Sequence, residues 1–198
     1  MHNAVCTGIA FLGNMETKYG PKEKVAIIFE LETGEFMATE QTPTFGSKSN
    51  LRKLLQSWRG KPFTEEELND GFELMSILGS NCQLNVTHNE QNERVYANID
   101  TILQKAKDIE PSVTPFGFSV LDETAENFEK LPLFLQIRAM KSYSIPANSR
   151  LLTLASDYSD MPASAKIAQE VFGNPTPALP SALGQAPVAK KTVNDLDF

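Results

Sequence analysis

Residues 25–42 read VAIIFELETGEFMATEQT and predict a β-hairpin. Val25–Leu31 is a run of apolar and β-branched residues that favours a strand, and Glu35–Thr42 is a second strand. Thr33-Gly34 supplies the tight reversal that makes the two strands antiparallel. Pro43 ends the second strand because it has no amide hydrogen to donate to a sheet. The hairpin therefore predicts an antiparallel β-sheet as the scaffold.

One strand precedes the hairpin, and helices follow it. Val5–Leu12 alternates as a strand, and the polar loop Asn14–Lys22 joins it to the hairpin, which gives a three-stranded meander. Ser47 or Ser49 caps a helix that ends at Gly60. The apolar residues at helical spacing in that helix are Leu51, Leu54, Leu55 and Trp58. Thr64-Glu65-Glu66-Glu67 is a capping box that opens a second short helix.

Two more strands complete the predicted sheet. Cys82–Thr87 alternates as a half-buried strand, the polar loop Asn89–Glu93 reverses the chain, and a fifth strand runs from Val95 to about Leu103. The order of three strands, a helix and two strands is that of the OB-fold, a five-stranded Greek-key barrel. We therefore predict a mainly β fold with added helices, in which an OB-fold domain occupies residues 1–108.

A helical extension is predicted for residues 109–172. It begins with an irregular connector, continues as a helix over Asp122–Tyr143 that breaks at Pro132, and ends with a helix from Ser159 or Asp160 to Gly173. The second half of the broken helix places apolar residues on one face, and these are Phe134, Ile137 and Met140. That face either caps the barrel or contacts a second protomer, so a homo-oligomer stays open.

The last segment, residues 173–198, is predicted to be a disordered linker with an acidic-aromatic tip. Four prolines between Gly173 and Val188 remove amide donors and block helix formation. The tip suits a shallow basic pocket on a partner protein, because an aromatic ring and its α-carboxylate are flanked by acids. Its predicted partner-binding residues are Asp195, Leu196, Asp197 and Phe198.

Composition narrows the classes of function. The net charge is −7, yet Gly46–Lys61 holds five basic residues and no acid, so a local positive face is compatible with an acidic chain. Cys6 and Cys82 lack metal-ligand spacing and predict reduced, buried thiols in a cytoplasmic protein. No apolar run is long enough for a membrane span. No catalytic motif is complete, so we expect no enzyme activity, no metal and no cofactor.

The acidic tail after a Pro/Gly/Gln linker resembles the recruitment tail of bacterial and phage single-stranded-DNA-binding proteins. Leu51–Thr64, Leu78-Gly79 and Asn85–His88 are similar to stretches in the small phage-encoded members of this class, which extends the resemblance over most of Met1–Lys105. The resemblance implies a protein that protects single strands in phage DNA replication or recombination, in the host cytoplasm. It also implies that the tail recruits replication or recombination proteins.

Candidate DNA-binding residues combine aromatic rings for bases with cations for phosphates. One groove wall of an OB-fold would carry Lys18, Tyr19, Lys22 and Lys24, and the other would carry Arg94 and Tyr96. Phe36 either floors the groove or enters the core, whereas Phe29 and Trp58 are expected in the core. Tyr96 is exposed if its neighbours Val95 and Ala97 are buried. The remaining candidates are Phe45, Lys48 and Arg52.

The predicted function is single-stranded-DNA binding with little sequence preference, since stacking tolerates any base. Two alternatives remain open. An OB-type protein–protein adaptor is favoured by the acidic net charge. A strand-annealing recombination protein would assemble into rings or filaments.

Overall fold

The computed structural model describes residues 1–91 and 94–159 and is built around one largely antiparallel sheet of six strands. The hairpin at Thr33-Gly34 is confirmed, with Gly34 at φ 85° in the turn. The helix cap is Ser49, whose side chain accepts from the Arg52 amide. The strands are β1 (His2–Met15), β2 (Lys22–Leu31), β3 (Phe36–Gln41), β4 (Asn81–Gln91), β5 (Arg94–Gln104) and β6 (Phe116–Ser119). The helices are α1 (Asn50–Arg59), α2 (Glu65–Asp70), α3 (Leu133–Ala139) and α4 (Arg150–Ser159).

Strand order is β3-β2-β1-β4-β5, and these neighbours pair antiparallel. The short β6 pairs parallel with Gly8–Phe11 of β1. Strands β3 and β5 approach each other, but no hydrogen-bonded ladder joins them in the described part of the chain, so the sheet is open at this seam. Helix α1 packs against β5 beside the seam.

The sheet has a hydrophobic core on each face. On the first face, α1 packs its buried Leu51, Leu55 and Trp58 against alternate residues of β2 such as Ile27 and Phe29. The other face of β2, which includes Ala26 and Ile28, is covered by the C-terminal extension. The extension residues in this second core include Phe118, Phe128, Leu131, Leu135 and Leu151. A bulge at Thr7 lets both Cys6 and Ile9 of β1 join the first core.

The extension differs from its prediction. The helix predicted over Asp122–Tyr143 is wrong in the half before Pro132: the Asp122 carboxylate accepts from the amides of Thr124 and Glu126 and holds a turn instead. Ala125 and Asn127 then take positive φ, which breaks helical geometry. A single 3-10 turn, Phe128–Lys130, precedes Pro132 and α3. Strand β6 and helix α4 were not expected. For the helix predicted from Ser159 or Asp160 to Gly173, residues 160–173 lie outside the described residues.

Both cysteines are free and buried, as the sequence predicted. Burial raises the pKa of the Cys6 thiol to about 12 and also raises that of Cys82, so both stay protonated at neutral pH. Within residues 1–91 and 94–159, no helix has the length and apolar character that crossing a bilayer requires.

Candidate nucleic-acid interface

The loop between β1 and β2, Glu16–Pro21, presents the most exposed tyrosine described in the chain. Tyr19 is 74% exposed, and its ring lies 4.9 Å from the Lys18 Nζ and 5.2 Å from the Lys22 Nζ, measured to the ring centroid. The ring is therefore exposed to water, with two ammonium groups close to it. We call Lys18, Tyr19 and Lys22 the loop site.

A tight turn holds the loop site in place. The hydroxyl of Thr17 donates to the Gly20 carbonyl at 2.7 Å and accepts from the Tyr19 amide at 3.2 Å. Gly20 has φ 87°, a conformation that favours glycine. Because hydrogen bonds within the loop fix the turn, Tyr19 keeps its position without packing against the core.

Lys24 and Phe36 lie on the sheet beside this loop. The Lys24 Nζ is 3.4 Å from the Thr42 Oγ1, which ties the lysine to the end of β3. Phe36 pairs with Glu30 and is 39% exposed, so it lies outside the core. Strand alternation places Phe36 on the face opposite α1, where the extension covers β1 and β2. Ala38 of β3 also packs against the second core, so Phe36 is the exposed end of β3 on this face.

Phe45, Lys48 and Arg52 lie away from the loop site, before and within α1. Phe45 is half-buried in a cluster of rings, 5.5 Å from Phe63 and 5.4 Å from Phe72 between centroids. Lys48 is exposed and Arg52 is half-buried. These three residues therefore belong to a different part of the chain from the loop site.

Arg59 does not belong to this surface, although the acid-free stretch Gly46–Lys61 includes it. Its side chain is fully buried, and both terminal nitrogens donate to the Glu67 carboxylate. Its guanidinium carbon also lies 4.3 Å from the centroid of the Phe63 ring. The charge that balances it comes from α2, so the composition of one segment overstated the free positive charge.

Arg94 and Tyr96 lie on the β4–β5 hairpin, opposite Gln91 and Asn89. The two strands continue through the region expected to be a loop, and Thr87–Glu90 is exposed. Ala97 is exposed too, so the premise that it is buried was wrong. The side chains of Arg94 and Tyr96 lie outside the described part of the structure, as does the tail with Asp195, Leu196, Asp197 and Phe198.

Tyr143 is a neighbour of the loop that sequence reasoning missed. Its hydroxyl donates to the Glu16 Oε2 at 2.8 Å, and the residue is 62% exposed. Glu16 raises the pKa of the Tyr143 hydroxyl, which therefore stays a proton donor. The contact spans 127 residues of sequence, and no local pattern signals it.

A polar cleft of about 320 Å³ lies at the open seam between β3, α1 and β5. Lys53 and Asp100 bring opposite charges to its lining. Among the described residues, no group of His, Cys, Asp or Glu is arranged to hold a metal ion.

Comparison of the chain with protein-family models gave no match, and comparison with curated proteins gave none either. The function is therefore inferred from the chain's own residues.

Proposed function

We propose that the protein binds single-stranded DNA with little sequence preference. The observation that carries the proposal is the exposed Tyr19 ring flanked by the Lys18 and Lys22 ammonium groups. An aromatic face stacks on any base, and adjacent ammonium groups neutralise the phosphates on either side. An exposed tyrosine without nearby cations, or a solvated lysine pair without a ring, would offer only one of these two interactions.

The strand order supports an OB-type scaffold for this site. In an OB-fold, a five-stranded and partly open barrel, the loop between the first two strands borders the ligand groove. The order β3-β2-β1-β4-β5, with α1 between β3 and β4, matches that arrangement apart from the open seam between β3 and β5. The loop site then lies where such a scaffold would bring a single strand.

The biological setting is also part of the proposal. A stoichiometric binder of this kind protects single strands in phage replication or recombination, and the acidic-aromatic tail recruits partner proteins. Two free, buried thiols fit a reducing compartment, which favours the cytoplasm. The chain performs no reaction in this proposal.

Fluorescence polarisation with labelled poly-dT tests the proposal. Tyr19→Ala should weaken binding about 5- to 150-fold, which corresponds to the loss of one stacked base at about 1–3 kcal/mol. Tyr19→Phe keeps the ring and should bind nearly as well as the unaltered chain. Both variants should melt at the unaltered temperature, because Tyr19 is exposed.

The two alternatives give different results in the same experiment. A folded protein that binds no poly-dT at low salt would refute the proposal and favour the protein–protein adaptor, which the net charge of −7 also favours. Large rings in gel filtration, formed on complementary strands, would favour the strand-annealing protein instead.

A further inference from the structure

We propose that Tyr143 is a second base-stacking residue, which the C-terminal extension supplies to the loop site. The inference rests on the proposed function and extends the DNA-binding surface from the β1–β2 loop to the extension. Tyr143 and Tyr19 are both largely exposed, and the Tyr143 hydroxyl reaches Glu16 at the start of the loop.

Tyr143 is anchored on both sides of its exposed ring. Its amide donates to the Asn14 carbonyl at 2.9 Å, and its hydroxyl donates to Glu16 at 2.8 Å. The next residue, Ser144, accepts from the Asn14 amide at 2.8 Å through its hydroxyl. The ring is therefore held between two hydrogen-bonded points and loses little conformational entropy when a base stacks on it.

Gly13 allows this close approach of the extension to β1. A Cβ at residue 13 would lie 2.5 Å from the Ser144 Cβ, and Gly13 has φ 62°, which favours glycine. Ser142 is buried, and its hydroxyl accepts from the Ser144 amide at 3.1 Å. The segment that carries Tyr143 is seated by its neighbours on both sides, so the position of the ring follows from the fold.

The two rings are close enough for one short oligonucleotide. Glu16 and Tyr19 are three residues apart, so their Cα atoms are separated by at most about 10 Å. OB-type proteins cover about 4–16 nucleotides per domain, which exceeds this span. A strand that stacks a base on Tyr19 can therefore also reach Tyr143.

The charges around the two rings favour a nucleic acid as the occupant. Lys18 and Lys22 lie beside the Tyr19 ring, Lys141 is exposed two residues before Tyr143, and the Glu16 carboxylate accepts a hydrogen bond from the Tyr143 hydroxyl. Glu16 and exposed Glu23 are the acids of this region, and Glu23 pairs with Asn14 on β1. Three cations beside two aromatic faces, in a chain of net charge −7, complement a polyanion with exposed bases.

Poly-dT binding by three variants of the full chain tests the role of Tyr143. Tyr143→Ala should weaken binding about fivefold or more, whereas Tyr143→Phe should bind nearly as well as the unaltered chain, because it keeps the ring and loses only the hydroxyl. Phe134→Ala is the matched control and should leave poly-dT binding unchanged. Phe134 is an exposed aromatic of the same extension, but it lies one turn from Arg138, which pairs with Glu40 on β3.

A crosslinking measurement on the unaltered protein does not depend on the folding of any variant. An oligo-dT carrying iodo-deoxyuridine should crosslink to Tyr143 and Tyr19 under ultraviolet light, and mass spectrometry should locate both sites. Crosslinks at Tyr19 without Tyr143, together with unaltered binding by Tyr143→Ala, would overturn the inference and leave the proposed function standing. Equal losses in Tyr143→Ala and Tyr143→Phe would overturn it too, because the hydroxyl and not the ring would matter. An unaltered chain that binds no poly-dT would refute both.

Discussion

Replacing Trp58 tests whether α1 is part of the core or part of the DNA-binding surface. The indole is 2% exposed, and its ring centroid lies 5.5 Å from that of Phe29. Its Nε1 donates to the Asn81 carbonyl at 3.0 Å, which ties α1 to the start of β4. The sequence predicted a core position for Trp58, and the structure confirms it.

The expected loss of stability follows from these contacts. Trp58→Ala removes a closed aromatic side chain, a change that costs about 3–5 kcal/mol. Trp58→Phe keeps most of the apolar volume but leaves the Asn81 carbonyl without the indole donor, and we expect a loss of about 1–2 kcal/mol. For a chain of this size each kcal/mol lowers the melting temperature by about 2–4 °C, so the alanine variant should melt roughly 6–20 °C lower.

Thermal unfolding and poly-dT polarisation, measured on the same samples well below the melting temperature, separate the two roles. Both Trp58 variants should lose stability and keep their DNA affinity. Lys53→Ala, an exposed change on the same helix, should alter neither by much. Unchanged melting with a selective loss of DNA affinity in Trp58→Ala would refute the reasoning and make α1 the binding face.

Two further predictions concern an ion pair and the tail. Arg59 lowers the pKa of the Glu67 carboxyl below its ordinary value of 4.5, so the pair stabilises the fold fully above about pH 4.5, and this stability is lost as the pH falls through the lowered pKa. Glu67→Gln should therefore destabilise the protein at pH 7, by about 3 kcal/mol because the buried Arg59 guanidinium loses its carboxylate partner, and the deficit should shrink in urea titrations toward pH 3. Deleting Asn194–Phe198 should leave poly-dT affinity unchanged or raised at low salt, since the acidic tip competes with phosphates for the loop lysines, and it should abolish capture of a replication partner. Markedly weaker DNA binding by the truncated chain would mean that the tail is part of the DNA site.

Local signals made much of the sheet and α1 predictable. Ser49 and Gly60 mark the ends of α1, and Gly60 adopts the left-handed conformation of a helix C-cap. The Thr64–Glu67 capping box is formed in both directions, as its spacing predicted. These features depend on residues three or four positions apart, so one sequence is enough to recognise them.

The second core was not predictable in the same way. Every residue from Val25 to Leu31 is buried, which is the mark of a strand covered on both faces, but the pattern does not say what covers it. The cover comes from residues more than 80 positions later, including Phe118 and Leu135. Phe134 was expected on the packing face of its helix, yet Leu135 and Ala139 are buried instead.

The salt dependence of binding gives a direct count of the cations that contact the strand. For a single strand the slope of log K against log salt is about −0.7 per phosphate contact, so Lys18, Lys22 and Lys141 together should contribute about −2 to the slope. Lys22→Gln should reduce that slope by about 0.7. Lys105→Gln removes the same charge from a position just after β5. The preceding residue, Gln104, pairs with Cys82, and Cys82 pairs with Ala4 of β1. Lys105 therefore lies roughly 30 Å along β1 from the loop. Lys105→Gln should leave the slope unchanged. Equal effects of the two substitutions would show that binding follows the net charge of the chain and not the loop site.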